Sequence, residues 1–398
     1  MSPSRMGERR TSLLGALLAT LGPISMSIYT PAMPDLVTAF DSDASMIKVT
    51  LSVYFGGFSL AQLVAGPMAD AFGRRRATLA FLLINILGSL ICLAAPAVEW
   101  LVAGRLVQGI GASVGITVAR AIVRDQFVGD EASRIMNLIG IMLAVGPGLA
   151  PTVGGLALAA FGWQSIFVLL VGFGMVTAAA VLVFLRETGS PDSRRALPGP
   201  LVATYATLAT DLRFMAAAVV LGGSVGALYA QSTMLAFILI DRVGLSPTAF
   251  GVGMLMQSGS YFLGSVVLRL VARRLGGEGS VRAGLGLLGA SGLMILVSVH
   301  ALTPSYLSIM LPVAFLGFGI AFLTPHMTTA ALQGFPQVAG SASAMMGFIQ
   351  MAGGFLGGSA AALVGEPLDA FGLIIPLMAA IAIASYAVFA AASRRAVV

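Results

Sequence analysis

Long apolar runs separated by short polar or basic connectors set the pattern of this chain. A helix needs about 20 mostly apolar residues to cross the hydrocarbon core of a bilayer. Runs of that length fall at 11–33, 46–69, 76–97, 100–122, 133–159 and 164–185. A polar stretch from Arg186 to Asp211 interrupts the series, which resumes at 213–240, 247–271, 281–302, 305–330, 338–364 and 370–392. The pattern predicts an all-α integral membrane protein with twelve transmembrane helices. The interruption divides it into a first six-helix bundle over residues 1–185, a cytoplasmic linker over 186–211 and a second six-helix bundle over 212–398.

The two halves echo each other. Gly109-Ile110-Gly111 in the fourth run returns as Gly317-Phe318-Gly319 in the tenth, and Gly154-Gly155 in the fifth as Gly357-Gly358 in the eleventh. A shared offset of about half the chain reads as an internal duplication, with any binding site expected near the bilayer midplane between the halves.

Arginine placement then orients the chain. With the N-terminus inside, the cytoplasmic segments hold Arg5, Arg9, Arg10, Arg74, Arg75, Arg76, Arg120, Arg124, Arg194 and Arg195 among others, and the outer loops hold only Lys48 and Arg242. This is the asymmetry of the positive-inside rule, and Trp100 and Trp163 fall at outer ends where amphipathic rings prefer to sit. Both termini are therefore expected in the cytoplasm. The basic start, Met1 to Arg10, leads into a run of full spanning length with no short core or cleavage site, so it reads as the first span.

Composition fits this picture. Hydrophobic residues make up 58% of the 398 and charged ones 10%, against about a quarter charged in soluble domains. The net charge of +6 does not point to nucleic acid, because the arginines cluster between apolar runs instead of lining one face. A lone Cys92 and two histidines offer neither a disulfide framework nor a metal cluster, so no cofactor is expected. The only lysine, Lys48, follows no glycine-rich loop, which excludes ATP as a direct energy source. Gly284-Leu285-Gly286-Leu287-Leu288-Gly289 has dinucleotide-type spacing but lies inside an apolar span, and is read as helix packing. Without paired intramembrane carboxylates or a nucleophile motif, an enzyme is disfavoured.

Four stretches carry the candidate chemistry. The loop after the second run reads Gly66-Pro67-Met68-Ala69-Asp70-Ala71-Phe72-Gly73-Arg74-Arg75-Arg76. A carboxylate at the C-terminal end of its own helix faces an unfavourable dipole, so Asp70 needs a partner. The fourth run holds Arg105-Leu106-Val107-Gln108-Gly109-Ile110-Gly111. An arginine inside a span costs several kcal/mol unless it faces a partner or a wet cavity, although Arg105 lies close enough to the outer interface to snorkel instead. The fifth run holds Gly146-Pro147-Gly148-Leu149-Ala150-Pro151 followed by Gly154-Gly155, residues that bend a helix and flatten one face. The first run holds Ser25-Met26-Ser27-Ile28-Tyr29-Thr30-Pro31.

These stretches resemble the major facilitator superfamily. The loop after the second run is similar to its signature loop, with Met68 for a leucine and Ala71 for an arginine. The resemblance implies a conformational latch formed by Gly66, Asp70, Gly73, Arg74 and Arg75, with Arg120 or Arg124 as the cation across from Asp70 and Ser341 at the start of the eleventh helix. The R-x-x-Q-G-x-G run implies a role in proton transfer for Arg105 and Gln108. Gly146, Pro147, Pro151, Gly154 and Gly155 resemble the antiporter motif. The first run, with Lys48-Val49-Thr50-Leu51-Ser52-Val53-Tyr54, looks like the bicyclomycin and chloramphenicol resistance branch of drug/proton antiporters.

That branch has an acid where this chain has Ser27, and serine cannot exchange a proton. The nearest acids are Asp35 at the outer end of the first span and Asp70 and Asp125 at inner ends, while His326 is either a titrating group or a structural one. Met26, Ser27, Tyr29, Tyr54, Asn137, Tyr229, Gln231, Gln257 and Gln350 are the polar or polarisable side chains inside spans, and are expected to line a substrate cavity. Together these readings give a monomeric exporter of small hydrophobic or amphipathic compounds in a bacterial inner membrane, exchanging them for protons. A facilitator or importer of a neutral metabolite is the alternative within the same fold.

Overall fold

In the computed structural model, residues 6–189, 192 and 197–395 are described. Arg5, Arg194 and Arg195, counted above among the basic connectors, lie outside the described residues. Each apolar run forms a helix. The first half holds α1 (Glu8–Ala39), α2 (Ala44–Phe72), α3 (Arg74–Leu93), α4 (Val98–Gln126), α5 (Gly129–Phe161) and α6 (Gln164–Phe184). A separate linker helix, Pro198–Thr210, stands inside the stretch read from sequence as a polar connector. The second half begins with α7 (Leu212–Gln231), and ends with α10 (Tyr306–Gln333), α11 (Ala339–Val364) and α12 (Pro367–Arg395). Between them a helical stretch of 55 residues, Pro247–Ala301, would measure about 80 Å if straight, far more than a bilayer needs. It breaks at Gly276, whose φ of 68° and ψ of −178° turn the chain back. The two pieces, α8 (247–275) and α9 (277–301), complete twelve spans.

Capping residues fix several starts. Asp43 accepts from the Met46 N–H at 2.8 Å to open α2, and Asp211 from the Phe214 N–H at 2.6 Å to open α7. Ser305 and Ser308 form a reciprocal capping box on α10. Large apolar side chains such as Leu13, Leu60, Val183 and Leu363 stand on the outside of the helices, which is stable only against lipid.

The halves pack as copies of one arrangement. α1 packs on α4, α5 and α6, and α7 packs in the same order on α10, α11 and α12. The repeated glycines sit at equivalent crossings where no Cβ would fit. Gly109 and Gly111 of α4 abut the backbones of α2 at Tyr54 and α3 at Asn85, while Gly317 and Gly319 of α10 abut those of α8 at Gln257 and α9 at Gly284. Gly154 of α5 meets the Ile28 carbonyl of α1 and Gly155 the Pro247 carbonyl of α8; Gly357 of α11 meets the Ala230 Cβ of α7, and Gly358 the Ser52 hydroxyl of α2. The two six-helix bundles therefore touch through α2 against α11 and α5 against α8.

The leading helix of each half is broken at equivalent depth. α1 passes from α-helix to a 3-10 turn at Thr30–Ala32, where Pro31 has no N–H to give, and then resumes. α7 ends at Gln231 and continues after a turn as a π-helix over Phe237–Arg242. Such local rewinding is tolerated at membrane depth where it is buried in protein or lines a cavity.

Candidate functional site

A cavity of about 420 Å³ lies between the halves, and all six helices at the breaks and bundle contacts reach it. Met26, Ser27 and Thr30 of α1 and Tyr229 and Ser232 at the end of α7 line it, so each broken helix presents its break to the same space. Pro147 and Pro151 of α5 face Gln257 and Ser258 of α8 across it. Towards the face that carries the Arg74–Arg76 turn, called here the basic face, the lining continues through Gln62, Arg120, Gly140, Thr328 and Ser343.

The opposite face, which carries Trp100 and Trp163, is sealed by contacts between the bundles. Gly155 and Gly251 each lie against the other helix's backbone, so that α5 and α8 are in direct contact. The Nζ of Lys48, fully buried on α2, donates to the carbonyls of Ala361 at 3.0 Å and Gly365 at 2.5 Å. These belong to the C-terminal end of α11, where carbonyls lack helical donors and the dipole is negative, so an ammonium is well placed there. Lys48 had been read only as a charge in an outer loop. Its role depends on a residue pairing across half the chain, which no local pattern encodes.

Arg105 does not snorkel. It is fully buried, with its guanidinium carbon 4.3 Å from the ring centre of Tyr29 and 4.4 Å from that of Tyr54. The two rings supply cation–π attraction where no carboxylate is present. Nη1 donates to the Ser25 carbonyl at 3.3 Å and to Gln108 Oε1; Gln108 Nε2 in turn donates to Ser89 Oγ at 2.7 Å. Tyr29 and Thr50 share a hydroxyl hydrogen bond of 2.6 Å, and Tyr54 donates to the Gly22 carbonyl at 3.0 Å. The cluster ties α1, α2, α3 and α4 together beside the cavity. Neither Arg105 nor Gln108 lines that space, and Tyr29 and Tyr54 face the arginine instead of the substrate volume.

The signature loop is wired differently from the expectation. Asp70 pairs with Arg74, not with Arg120 or Arg124, and Arg74 Nε also reaches Asp125 Oδ2 at 3.1 Å. Glu187, just beyond α6, accepts from the N–H groups of Arg74 at 2.6 Å and Arg75 at 3.2 Å, capping the N-terminus of α3. Gly73 is required there twice over: its φ of 94° lies in the left-handed region, and a Cβ would strike the Glu187 carboxylate. Arg75 Nη2 donates to the Leu182 carbonyl at 2.8 Å, Gly66 leaves room for Thr117 of α4, and Arg124 is exposed. All of these partners belong to the first bundle or the chain just after it, so among the described residues the loop holds one bundle together and does not bridge two. Arg120 instead contacts Ser343 of α11 at 3.5 Å, two residues past the Ser341 anticipated.

Of the remaining cavity candidates, Met26, Ser27, Tyr229, Gln257 and Gln350 line it, as do Pro147 and Pro151. Gln231 is fully buried behind it and donates to Gln257 Oε1 at 2.9 Å. Asn137 is exposed on α5, and Asp35 is exposed near the tryptophan face; neither lines the cavity. Gly146 packs on Thr20 and Ile24 of α1. Phe58, Gln62 and the serines and threonines of α7, α8, α10 and α11 are additions; the alternation of faces on twelve similar helices left them indistinguishable from lipid-facing or packing positions.

Twelve spans in two matched bundles around a cavity between them, closed at one face, define a multi-pass membrane transporter rather than an enzyme. Residues 5–358 match the family model described as Major Facilitator Superfamily, and the chain belongs to that family. Among its relatives, the bicyclomycin resistance protein homolog of Haemophilus influenzae is 26% identical over 347 residues, 86% of either chain. The chloramphenicol resistance protein of Pseudomonas aeruginosa is 29% identical over 361 residues, covering 87% of this chain and 81% of that one. In fold, the chain is similar to a bacterial homologue of the human lysosomal transporter Spinster, crystallised inward-facing and unoccupied, with a TM-score of 0.75 at 14% identity over 97% of each chain.

Proposed function

We propose that the chain exports small hydrophobic or amphipathic compounds from the bacterial cytoplasm across the inner membrane, exchanging them for protons by alternating access. The observation that carries this reading is the cavity between the bundles: apolar and neutral polar side chains line it together with Arg120, and it is sealed at the tryptophan face by Lys48 and the α5–α8 contact. Its methionines, Met26, Met254, Met346 and Met351, adapt to varied apolar shapes. The basic face is the cytoplasmic one, in keeping with the arginine asymmetry, and both termini lie there. Division into a bundle over 1–185, a linker over 186–211 and a bundle over 212–398 is part of the same proposal, with the monomer as the working unit.

Resistance proteins for bicyclomycin and chloramphenicol among the relatives support export of such compounds. Proton exchange cannot run through Ser27. Carboxylates that could carry it stand at the two ends of the pathway: Asp35 and Asp241 towards the tryptophan face, and Asp70 and Asp125 at the basic face. The test is uptake of a labelled hydrophobic antibiotic into inverted membrane vesicles energised by respiration. Uptake that collapses with an uncoupler is expected; uptake that ignores the uncoupler would remove the antiport half of the proposal, and no uptake of any compound in a resistance panel would remove export.

A further inference from the structure

We infer that the cavity is built for amphiphiles carrying one negative charge, and that Arg120 is the residue that reads it. The inference rests on the export reading above and names its substrate class.

Among the described residues that line the cavity, Arg120 is the only one with a formal charge. No aspartate or glutamate accompanies it there. Three carboxylates of the same face are otherwise engaged: Asp70 and Asp125 hold Arg74, Thr188 also donates to Asp125 at 3.1 Å, and Glu187 caps α3. The one hydrogen bond of the Arg120 guanidinium is the 3.5 Å contact with Ser343 Oγ, at the outer limit of such bonds. A guanidinium carries five donors in a planar fork, suited to bidentate capture of a carboxylate, sulfonate or phosphate. Most of that fork therefore stays available in a pocket whose walls are largely apolar.

A second observation points to a ligand independently. Gln62 lines the same cavity and is 7% exposed, yet its Oε1 is buried without a hydrogen-bond partner. A buried amide oxygen left unpaired costs on the order of what a lost hydrogen bond does; being an acceptor, it calls for an O–H or N–H on the ligand body, while the anionic head belongs to Arg120. Beyond these two groups lie Met26, Phe58, Met346 and Met351, a soft apolar wall for the ligand body. A cationic drug would meet an unopposed arginine and nothing to pair with. An anionic amphiphile meets the fork with its head and the methionines with its tail.

A matched trio of radiolabelled probes tests this: a naphthylalkyl carboxylate, its primary amide and its trimethylammonium analogue. Equilibrium dialysis against the purified full-length protein in nonionic detergent, with empty micelles as the blank, gives each affinity. The expected result is a preference for the carboxylate over the amide of about tenfold or more, falling with ionic strength as an ion pair should. Arg120→Gln is expected to bring that ratio close to one, and Arg120→Lys to recover part of it, both checked for folding by monodispersity and thermal melting. A ratio near one in the wild type, tightest binding of the trimethylammonium probe, or a preference untouched by Arg120→Gln overturns the inference while leaving export standing. Retention of none of the three above the blank overturns the inference and the substrate-cavity reading together.

Discussion

At the scale of single residues, the Arg105 cluster shows how a membrane interior keeps a charge that it cannot pair. Two tyrosine faces, one backbone carbonyl and one amide take the place of a carboxylate. The arrangement needs the planar guanidinium, which can stack between two rings and donate along its edge at once. Arg105→Ala is therefore expected to abolish efflux with expression retained, and Arg105→Lys not to restore it, because a compact ammonium cannot hold both rings and Gln108 together. Drug efflux in whole cells, beside fluorescence-detected gel filtration, checks both. Full activity in either variant would show that the cluster is passive packing. That Arg105 mattered was legible in sequence from its position inside a span. That Tyr29 and Tyr54 serve the arginine and not the substrate was not, since either tyrosine reads equally well as cavity lining until α1, α2 and α4 are brought together.

At the scale of elements, proline placement explains a contact that sequence patterning missed. Pro67 removes the N–H that would have bonded the Leu63 carbonyl one turn earlier in α2. Tyr205 of the linker helix donates its hydroxyl to that carbonyl at 2.6 Å, and burial pushes the Tyr205 phenol up to about 12, so the donor keeps its proton throughout the physiological range. The linker, expected to be a polar connector, is in this way docked on the helix of the signature loop. Tyr205→Phe is expected to destabilise the protein by about 1–2 kcal/mol in thermal or denaturant melts. In a Pro67→Ala background, where α2 supplies its own donor, the same change should cost less; equal costs in the two backgrounds would contradict the account.

The seal at the tryptophan face belongs to the same scale. Removing the Lys48 ammonium leaves the last carbonyls of α11 unsatisfied, a loss of about 1.5 kcal/mol or more for a charged hydrogen bond and so about tenfold in the open fraction. Because Cys92 is the only cysteine and is buried, a Ser52→Cys reporter in a Cys92→Ser background reports opening directly. Lys48→Met is expected to speed its labelling by an impermeant maleimide several-fold, and an unchanged rate would show that Lys48 is not a latch. Acidity should act on the same seal. Burial, and next the charge of Asp35, hold the Asp241 carboxyl above the usual carboxylate range. A carboxyl raised in the sealed form favours sealing when protonated, so that contribution is present in acid and lost as pH climbs past the raised value. Labelling is thus expected to slow on acidification in the parent and to lose part of that dependence in Asp241→Asn.

For the whole molecule, lipid explains what could be seen in advance. Every backbone group in hydrocarbon must be satisfied internally, which forces helices, and their apolar length and basic connectors then mark spans and sides. The glycine repeats likewise foretold the bundle symmetry, because close backbone crossings tolerate no other residue. What stayed hidden were pairings that depend on which helix faces which across the midplane: Lys48 with α11, Glu187 with α3, and Arg120 with the cavity instead of the latch.

The central claim is that transport requires α2 and α11 to part at the tryptophan face. A Cβ built on Gly358 would stand 3.5 Å from the Ser52 Cβ, within the range a disulfide spans. The Ser52→Cys/Gly358→Cys pair in a Cys92→Ser background, assayed for efflux in proteoliposomes before and after oxidation, tests the claim most directly. The account predicts that oxidation stops efflux and that reduction restores it, with binding from the basic face retained in the oxidised form. Efflux continuing at the reduced rate with the disulfide intact would contradict it.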